Sequence, residues 1–286
     1  MLRDNALQDR IVLITGGASG LGLAMSARFR ALGARIAMVG RSADRLRAGV
    51  QRIDPTGEHV FGTVADVRDP AAVATAVTAI EERLGPIDTL VNNAAGNFLA
   101  ATEDLSANAF DTVVRTVLHG TFHATNAVGR RMIDAGRGGV ILNILTTYAW
   151  TGSAFVVPSA AAKAGVLAMT RSLAVEWAVY GIRLNAIAPG PFPTEGAWSR
   201  LLPTPALEQN AVDRIPLRRF GEPGELAELA AFLVSDAAAY INGECVTIDG
   251  GGWLMGGLFN GLTKLDRVEL KEQFKRFREQ GGRTPL

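Results

Sequence analysis

Short runs of apolar residues alternate along this chain with longer segments in which apolar and polar residues recur at helical spacing. The apolar runs predict strands at Arg10–Thr15, Arg35–Val39, Val60–Ala65, Thr89–Asn93, Gly139–Leu145, Arg183–Ala188 and Cys245–Ile248. The longer segments predict helices at Leu21–Leu32, Ala71–Leu84, Ala107–Ala135, Ser159–Tyr180 and Leu226–Ser235. Strands that are apolar on both faces and alternate with helices form parallel sheets covered on both sides. With right-handed crossovers, the pattern predicts an α/β fold with a doubly wound parallel sheet.

The chain contains no linker and no internal repeat, so we expect a single domain over residues 1–286. Within it, residues 191–223 contain Pro, Gly and Trp and are too many for an ordinary connection, which indicates a short substrate lid. The tail, residues 266–286, is charged and begins with a helical pattern. We expect a solvated surface helix there.

The first predicted strand runs directly into a glycine-rich turn that opens the first helix. This turn carries the candidate cofactor residues Thr15, Gly16, Ser19, Gly20, Leu21 and Gly22. Glycines in such a turn let the backbone approach a pyrophosphate, and the helix N-terminus offers it free N–H groups and a partial positive charge. The strand–turn–helix context therefore predicts a dinucleotide site in a Rossmann-type fold.

The second predicted strand ends at Val39-Gly40-Arg41-Ser42, with no acidic residue at its tip. NAD enzymes of this fold tend to place an acid there, which accepts a hydrogen bond from the ribose 2′-hydroxyl. An arginine can instead pair with a 2′-phosphate and stack on the adenine. Arg41 therefore predicts NADP(H) as the cofactor.

Composition argues against several other classes of function. Twenty-nine basic and 28 acidic residues leave a net charge of +1, without the basic surplus of nucleic-acid-binding proteins. The three histidines have no metal-ligand spacing, so no metal is expected. No apolar run predicts a membrane span, and the first ten residues lack the apolar core of a signal peptide. With Cys245 as the only cysteine, we expect a cytoplasmic protein without an intrachain disulfide.

These motifs together resemble the short-chain dehydrogenase/reductase family from about Asp9 to Gly251. The resemblance rests on the glycine turn, on Asn92-Asn93-Ala94-Ala95-Gly96, on Pro189-Gly190 and on Ile248-Asp249-Gly250-Gly251. It implies that Asp66 contacts the adenine amine and that Asn93 shapes the cofactor crevice. It also implies that Pro189, Gly190 and Phe192 lie beside the nicotinamide.

The family's catalytic signature is Tyr-x-x-x-Lys on the helix after the fifth strand, in which the lysine lowers the phenol pKa. Lys163 occupies the lysine position, but Ser159 occupies that of the tyrosine, and Thr146 that of the family's serine. A serine hydroxyl is far too weak an acid to replace a phenol by itself. The nearest tyrosine is Tyr148, in the loop that borders the crevice after the fifth strand. We therefore expect Tyr148 to act as the acid.

Over residues 92–201 the chain is similar to one branch of this family, the 2,4-dienoyl-CoA reductases of auxiliary fatty-acid β-oxidation. The likeness rests on Ala95-Gly96-Asn97-Phe98, on Thr146-Thr147-Tyr148-Ala149 and on Phe155-Val156-Val157-Pro158-Ser159 with Lys163. It implies NADPH-dependent reduction of a 2,4-dienoyl-CoA to a 3-enoyl-CoA, with hydride added at C5. Tyr148 and Asn97 would stabilise the dienolate oxygen, and Tyr148 would protonate the α carbon.

The same resemblance assigns the remaining roles. Lys163 would hold the ribose hydroxyls, and Ser159 would orient neighbouring groups. The implied contacts with the acyl-CoA substrate are Arg68, Phe98, Ser106 and Arg200. Members of the family usually form homotetramers, and the apolar faces of the helices at 107–135 and 159–180 suit such an interface.

One position departs from the family pattern. Many members hold a proton-relay water with an asparagine in the helix after the fourth strand, where this chain has His119. A histidine could hold a water as well.

Three other functions stay open. The alternatives are a carbonyl or alcohol oxidoreductase, a 2-enoyl-CoA reductase, and a catalytically silent cofactor-binding sensor. The loops around Asn97 and Tyr148 favour the dienoyl-CoA reductase.

Overall fold

Seven strands form one parallel sheet in the computed structural model, which describes residues 2–194 and 204–279. The strands are β1 (Ile11–Thr15), β2 (Arg35–Gly40), β3 (Val60–Val64), β4 (Thr89–Asn92), β5 (Gly139–Ile144), β6 (Ile182–Pro189) and β7 (Cys245–Ile248). Their order across the sheet is β3-β2-β1-β4-β5-β6-β7, and every neighbouring pair is parallel. The order reverses at β1 and β4, so the crevice between their carboxyl ends is where a ligand binds in such a sheet. This architecture confirms the predicted single-domain α/β fold.

Helices connect the strands. They are α1 (Gly20–Ala31), α2 (Ala43–Ile53), α3 (Pro70–Leu84), α4 (Ala107–Val114), α5 (Gly120–Asp134), α6 (Tyr148–Thr151), α7 (Val157–Glu176), α8 (Pro205–Asp213), α9 (Pro223–Val234) and α10 (Arg267–Glu279). Short 3₁₀ segments lie at Thr102–Asp104, Ala178–Tyr180, Asp236–Ala238, Gly252–Gly256 and Asn260–Lys264. The predicted strands and helices agree with the observed ones apart from their ends and four features.

The first difference is α2, which is not among the predicted helices although Leu46, Val50 and Ile53 stand at helical spacing and pack against the core. Its start is nevertheless encoded, since the Ser42 side chain accepts a hydrogen bond from the Arg45 N–H as an N-cap. The second is that the single helix predicted at Ala107–Ala135 is interrupted by a π turn at Arg115–His119. The third is that the proposed lid contains α8. The fourth is that Tyr148, expected in a loop, begins the one-turn helix α6.

Each face of the sheet has its own buried layer. Alternate residues of β1 point to opposite faces, so Val12 and Ile14 join one layer while Leu13 joins the other. The first layer includes Phe29 of α1 and Leu226 of α9, and the second is built from α3 and α5. A third cluster under the carboxyl end of β5 combines side chains of α4, the π turn and α7. This cluster supports the segment that carries Tyr148.

Two features are absent from the described part of the chain. Over residues 2–194 and 204–279, no helix combines the length and the apolar character needed to cross a membrane. Over the same ranges, no group of three or more His, Cys, Asp or Glu side chains is arranged so that it could hold a metal ion.

Candidate active site

The glycine turn between β1 and α1 is closely packed beneath the space where a dinucleotide would lie. A Cβ at Gly22 would stand 2.2 Å from the Gly16 carbonyl oxygen and 2.7 Å from Asn93 Nδ2, so no side chain fits there. Gly16 and Gly20 have φ of +67° and +50°, which favour glycine. The residues present therefore fit a pyrophosphate that must approach the backbone closely.

Asn93 and Thr15 fasten this turn to the end of β4. Asn93 Nδ2 donates to the carbonyl oxygens of Thr15 and Gly16 at 3.1 and 3.2 Å. Thr15 Oγ1 accepts from the N–H groups of Asn93 and Ala94, both at 3.0 Å. These bonds fix the two strand ends that border the crevice, which agrees with the shaping role inferred for Asn93 from the family resemblance.

Two adjoining cavities of about 1120 and 430 Å³ form the crevice above the turn. The lining includes Gly16, Ser19, Gly20, Leu21, Arg41, Arg45, Asp66, Asn93, Asn97, Phe98 and Thr194. Arg45 was not among the residues singled out from the sequence, although it lines both cavities beside Arg41. Its position three residues after the N-cap Ser42 is the signal that could have found it, because that spacing places it in the first turn of α2.

Asp66 and Arg68, which the resemblance assigned to different ligands, are paired with each other. Arg68 Nε and Nη2 donate to Asp66 Oδ2 at 2.9 and 2.6 Å, and the pair is partly exposed. The hydrogen bond from Arg68 lowers the pKa of Asp66 below its usual value. Asp66 is thus a carboxylate at the end of the crevice where the resemblance places the adenine, and part of the hydrogen-bonding capacity of Arg68 is already used.

Tyr148, Ser159 and Asn97 meet at the carboxyl end of β5. Tyr148 begins α6, and its hydroxyl lies 3.0 Å from Ser159 Oγ. Asn97 Nδ2 donates to the same hydroxyl oxygen at 3.2 Å. The N–H of Phe98 donates to Asn97 Oδ1 at 2.9 Å, which fixes the orientation of the Asn97 amide. The tyrosine displaced from the helix therefore faces the serine that occupies its usual place.

The hydrogen bonds of this cluster leave one proton free to serve a ligand. The Tyr148 oxygen has two lone pairs, one of which accepts from Asn97. If the hydroxyl of Ser159 donates to the other, the phenolic proton points away from both partners. Ser159 is 2% exposed and sits inside α7, so its position is fixed by the helix. The arrangement can hold a phenol proton toward a substrate oxygen or carbon.

Lys163 lies on α7, one turn after Ser159, with its ammonium group donating to the carbonyl oxygen of Ile144. It is 6% exposed, and burial lowers its pKa from 10.5 to about 8. The ammonium group is therefore held at the end of β5, close to the strand ends where a ribose would lie. Its predicted contact with the ribose stays a prediction.

Lys163→Met should change how stability depends on pH in the cofactor-free protein. Below pH 8 the folded chain holds a buried charge that the unfolded chain exposes to water, which costs about 3 kcal/mol. Between pH 8 and 10.5 the folded form loses its proton first, so the unfolding free energy of the parent should rise relative to that of Lys163→Met. Urea unfolding at several pH values measures this difference. The exposed Lys275→Met is the control, and a parallel pH course for the parent and Lys163→Met would contradict the expectation.

The other predicted site residues lie in different surroundings, and not all of them face the crevice. Phe98 lines the crevice. Ser106 is exposed and caps α4, where its Oγ accepts from the Ala109 N–H. The Phe192 side chain packs in the core, so only its backbone remains for a nicotinamide contact. Arg200, like the rest of 195–203, lies outside the described residues.

Pro189 and Gly190 lie at the carboxyl end of β6, at the same edge of the sheet as the carboxyl ends of β1, β4 and β5. The Gly190 N–H donates to the Ile248 carbonyl oxygen at 2.9 Å. A Cβ at Gly190 would come within 2.6 Å of Asp249 Cβ, so this position requires glycine. Strand β6 is thereby tied to the turn that follows β7.

His119 does not point toward this cluster. It is exposed, and its ring makes an edge contact with that of His123, whose Nδ1 lies 2.9 Å from the Val67 carbonyl oxygen. The side chains of the π turn that pack with Leu145 and the other residues under the cluster are Val117 and Leu118. The idea that His119 holds a relay water near the acid therefore finds no support in its position.

Comparison with known proteins agrees with this geometry. The family model described as enoyl-(acyl carrier protein) reductase matches residues 16–252. A Bacillus subtilis protein called "probable 2,4-dienoyl-CoA reductase, (2E)-enoyl-CoA-producing" is 45% identical, with 87% of this chain and 98% of that protein covered. A Caenorhabditis elegans protein called "probable 2,4-dienoyl-CoA reductase 3, (3E)-enoyl-CoA-producing" is 42% identical, with coverage of 88% and 82%.

A solved structure extends the likeness to three dimensions. The crystal structure of a short-chain dehydrogenase from Bacillus anthracis has a TM-score of 0.81 and 44% identity, and the match covers 87% of this chain and 98% of that one. Family model, relatives and structure agree over the span that holds the glycine turn, the crevice and the Tyr148 cluster. The chain belongs to the short-chain dehydrogenase/reductase family of oxidoreductases.

Proposed function

We propose that the protein reduces 2,4-dienoyl-CoA to 3-enoyl-CoA with NADPH, as a step of auxiliary fatty-acid β-oxidation. The observation that carries the proposal is the displaced tyrosine, whose hydroxyl is hydrogen-bonded by Asn97 and lies beside Ser159. An ordinary carbonyl reductase of this family would need the phenol on α7, where this chain has the serine. The names of the relatives at 42–45% identity support the same substrate class.

The residues of the cluster fit the charge that develops in such a reduction. When bound, the reduced nicotinamide supplies the hydride. Charge then moves through the conjugated system to the thioester oxygen, which needs donors already in place. Tyr148 and Asn97 supply those donors, and Tyr148 is the group that can pass a proton to the α carbon. Lys163, whose ammonium group donates to the Ile144 carbonyl oxygen, would hold a positive charge near the ribose.

The charged residues at the other end of the crevice favour binding of NADPH over binding of NADH. Arg41 and Arg45 both line the crevice at the tip of β2. The carboxylate at this end, Asp66, is neutralised by Arg68. A 2′-phosphate therefore meets two guanidinium groups that can bind it in a forked geometry, whereas a 2′-hydroxyl meets no acid at the strand tip.

The remaining finer assignments are proposals of the same kind. Arg68 and Phe98 would contact the CoA substrate from the crevice side, with Ser106 and Arg200 as further contacts. Residues 191–223 would form the lid. Exposed apolar side chains on α5 and near the end of α7, Phe122, Val175 and Val179 among them, would lie between the subunits of a homotetramer. Sedimentation at several protein concentrations would test that assembly, which a persistent monomer would contradict.

A panel of substrates tests the function. The protein should oxidise NADPH with a 2,4-dienoyl-CoA and show no appreciable turnover with simple ketones or a 2-enoyl-CoA. Robust ketone reduction without dienoyl-CoA activity would point to a carbonyl reductase, and turnover of 2-enoyl-CoA to delivery of hydride at C3. NADPH binding without any turnover would point to a sensor.

Product analysis then tests the position of the proton. The two relatives carry names with different products, a 2-enoyl-CoA and a 3-enoyl-CoA. Hydride at C5 followed by protonation of the α carbon gives the 3-enoyl product, while protonation at C4 gives the 2-enoyl product. Reaction in D₂O and NMR of the product should locate deuterium at C2. Deuterium at C4 would overturn this part of the proposal.

A further inference from the structure

The segment that carries Tyr148 is weakly held by its own sequence. Helix α6 has only four residues, and it ends at Gly152, whose φ is +68°. Of residues 148–155, only Ala149 is buried. Phe155 is exposed and also has a positive φ, which is unfavourable for a residue with a side chain. A single helical turn does not stabilise itself, so the position of the Tyr148 hydroxyl depends on contacts from outside the segment.

The C-terminal turn, residues 248–256, is by contrast firmly built. The Asp249 carboxylate accepts from the N–H groups of Gly251 and Trp253 at 2.9 and 2.7 Å. Gly250 and Gly251 take φ of +63° and +85° to make the turn. Asp249 also packs against Gly190 at the end of β6. The turn is therefore anchored to the sheet and sets the direction in which Trp253 points.

Trp253 meets the Tyr148 segment through one aromatic contact. The ring centroids of Trp253 and Trp150 are 5.8 Å apart and the ring planes are at 89°, the edge-to-face geometry that aromatic pairs favour. Both rings are more than a third exposed, so the contact is not a by-product of core packing. Trp150 lies two residues after Tyr148, on the same turn of helix. The pair thus joins the firm turn to the weakly held segment.

We propose that Trp253 is a positioning residue, which acts through Trp150 to keep the Tyr148 hydroxyl between Asn97 and Ser159. This inference rests on the role proposed for Tyr148. A small displacement of an acid or donor group lowers the rate strongly, whereas binding of the cofactor at the glycine turn does not depend on this segment. Loss of the pair should therefore lower kcat and leave the KM for NADPH unchanged.

The test compares Trp253→Ala with Trp253→Phe and with the control Phe259→Ala, which removes another exposed aromatic ring of the same C-terminal region. Hydrogen–deuterium exchange of backbone amides in residues 146–156 should be faster in Trp253→Ala, while Trp253→Phe and Phe259→Ala stay close to the parent. With the substrate that the parent turns over, kcat should fall about tenfold in Trp253→Ala and recover in Trp253→Phe. Trp150→Ala combined with Trp253→Ala should be no worse than either alone.

Each outcome bears on the proposal. Unchanged exchange in 146–156 would overturn it, as would faster exchange with an undiminished kcat, or an equal effect of Phe259→Ala. Additive losses in the double variant would show that the two rings act separately, and would also overturn it. Exchange does not depend on the identity of the substrate. A protein that ignores dienoyl-CoA would therefore refute the proposed function, while the exchange result would still decide the role of Trp253.

Discussion

Tyr148→Phe should lower kcat for dienoyl-CoA reduction by about two to three decades and leave NADPH affinity nearly unchanged. The substitution removes one hydroxyl from the cluster with Asn97 and Ser159 and keeps the ring that fills the space. A donor that acts mainly on charge developed in the transition state costs about 3–4 kcal/mol when it is lost, and little of that appears in ground-state binding. Steady-state kinetics and NADPH titration measure the two quantities separately.

Two variants serve as controls for this experiment. Tyr240→Phe makes the same chemical change at a fully exposed tyrosine, so it should leave kcat unchanged. Ser159→Ala removes the partner of the phenol but not the phenol, so it should cost less than Tyr148→Phe. If Tyr148→Phe keeps full activity, or if Ser159→Ala costs more, the acid is not Tyr148 and the displaced-tyrosine mechanism is wrong.

Much of the sheet could be predicted because its strands follow from the pattern of apolar residues over short stretches of the sequence. Buried strands are continuous apolar runs, and β5, observed at Gly139–Ile144, differs by one residue from the strand expected at Gly139–Leu145. Helix α2 is missing from the predicted elements although the same reasoning could have found it, because Leu46, Val50 and Ile53 stand four and three residues apart and pack against the core. The π turn in the helix after β4 depends on packing between distant residues. Gly120 lies against Val67, where a Cβ would come within 2.6 Å.

The residues of the active site also fall into two groups, those that the sequence locates and those that only the folded structure brings together. The glycine turn, Arg41 and Lys163 sit at fixed distances along the chain from predicted elements, so the sequence locates them. The contact between Tyr148 and Ser159 spans eleven residues across α6 and the turn after it, and no periodic pattern predicts it. The pairing of Trp150 with Trp253 joins residues 103 positions apart, which the pairing of β5 with β6 and of β6 with β7 brings to one edge of the sheet. Such contacts require the folded structure.

Arg41→Asp should weaken NADPH binding by about a hundredfold or more while changing NADH binding little. In the proposed complex the 2′-phosphate is recognised by Arg41 together with Arg45 at the tip of β2. A charge-assisted hydrogen bond contributes about 1.5–3 kcal/mol, and an aspartate in the same place adds repulsion toward the phosphate. The same aspartate can accept from the 2′-hydroxyl of NADH, which offsets the lost arginine for that cofactor. Titration of both cofactors against both proteins gives the selectivity directly.

Arg47→Asp is the matched control, because it makes the same charge change nearby, on α2, at an exposed position that pairs with Asp44. It alters the net charge equally, so any general electrostatic effect on anionic ligands appears in it as well. Salt provides a second readout: added salt should weaken NADPH binding to the parent more than NADH binding, and this difference should shrink in Arg41→Asp. Equal weakening of both cofactors in Arg41→Asp, or a parent that prefers NADH, would show that the arginines at the tip of β2 do not read the 2′-phosphate.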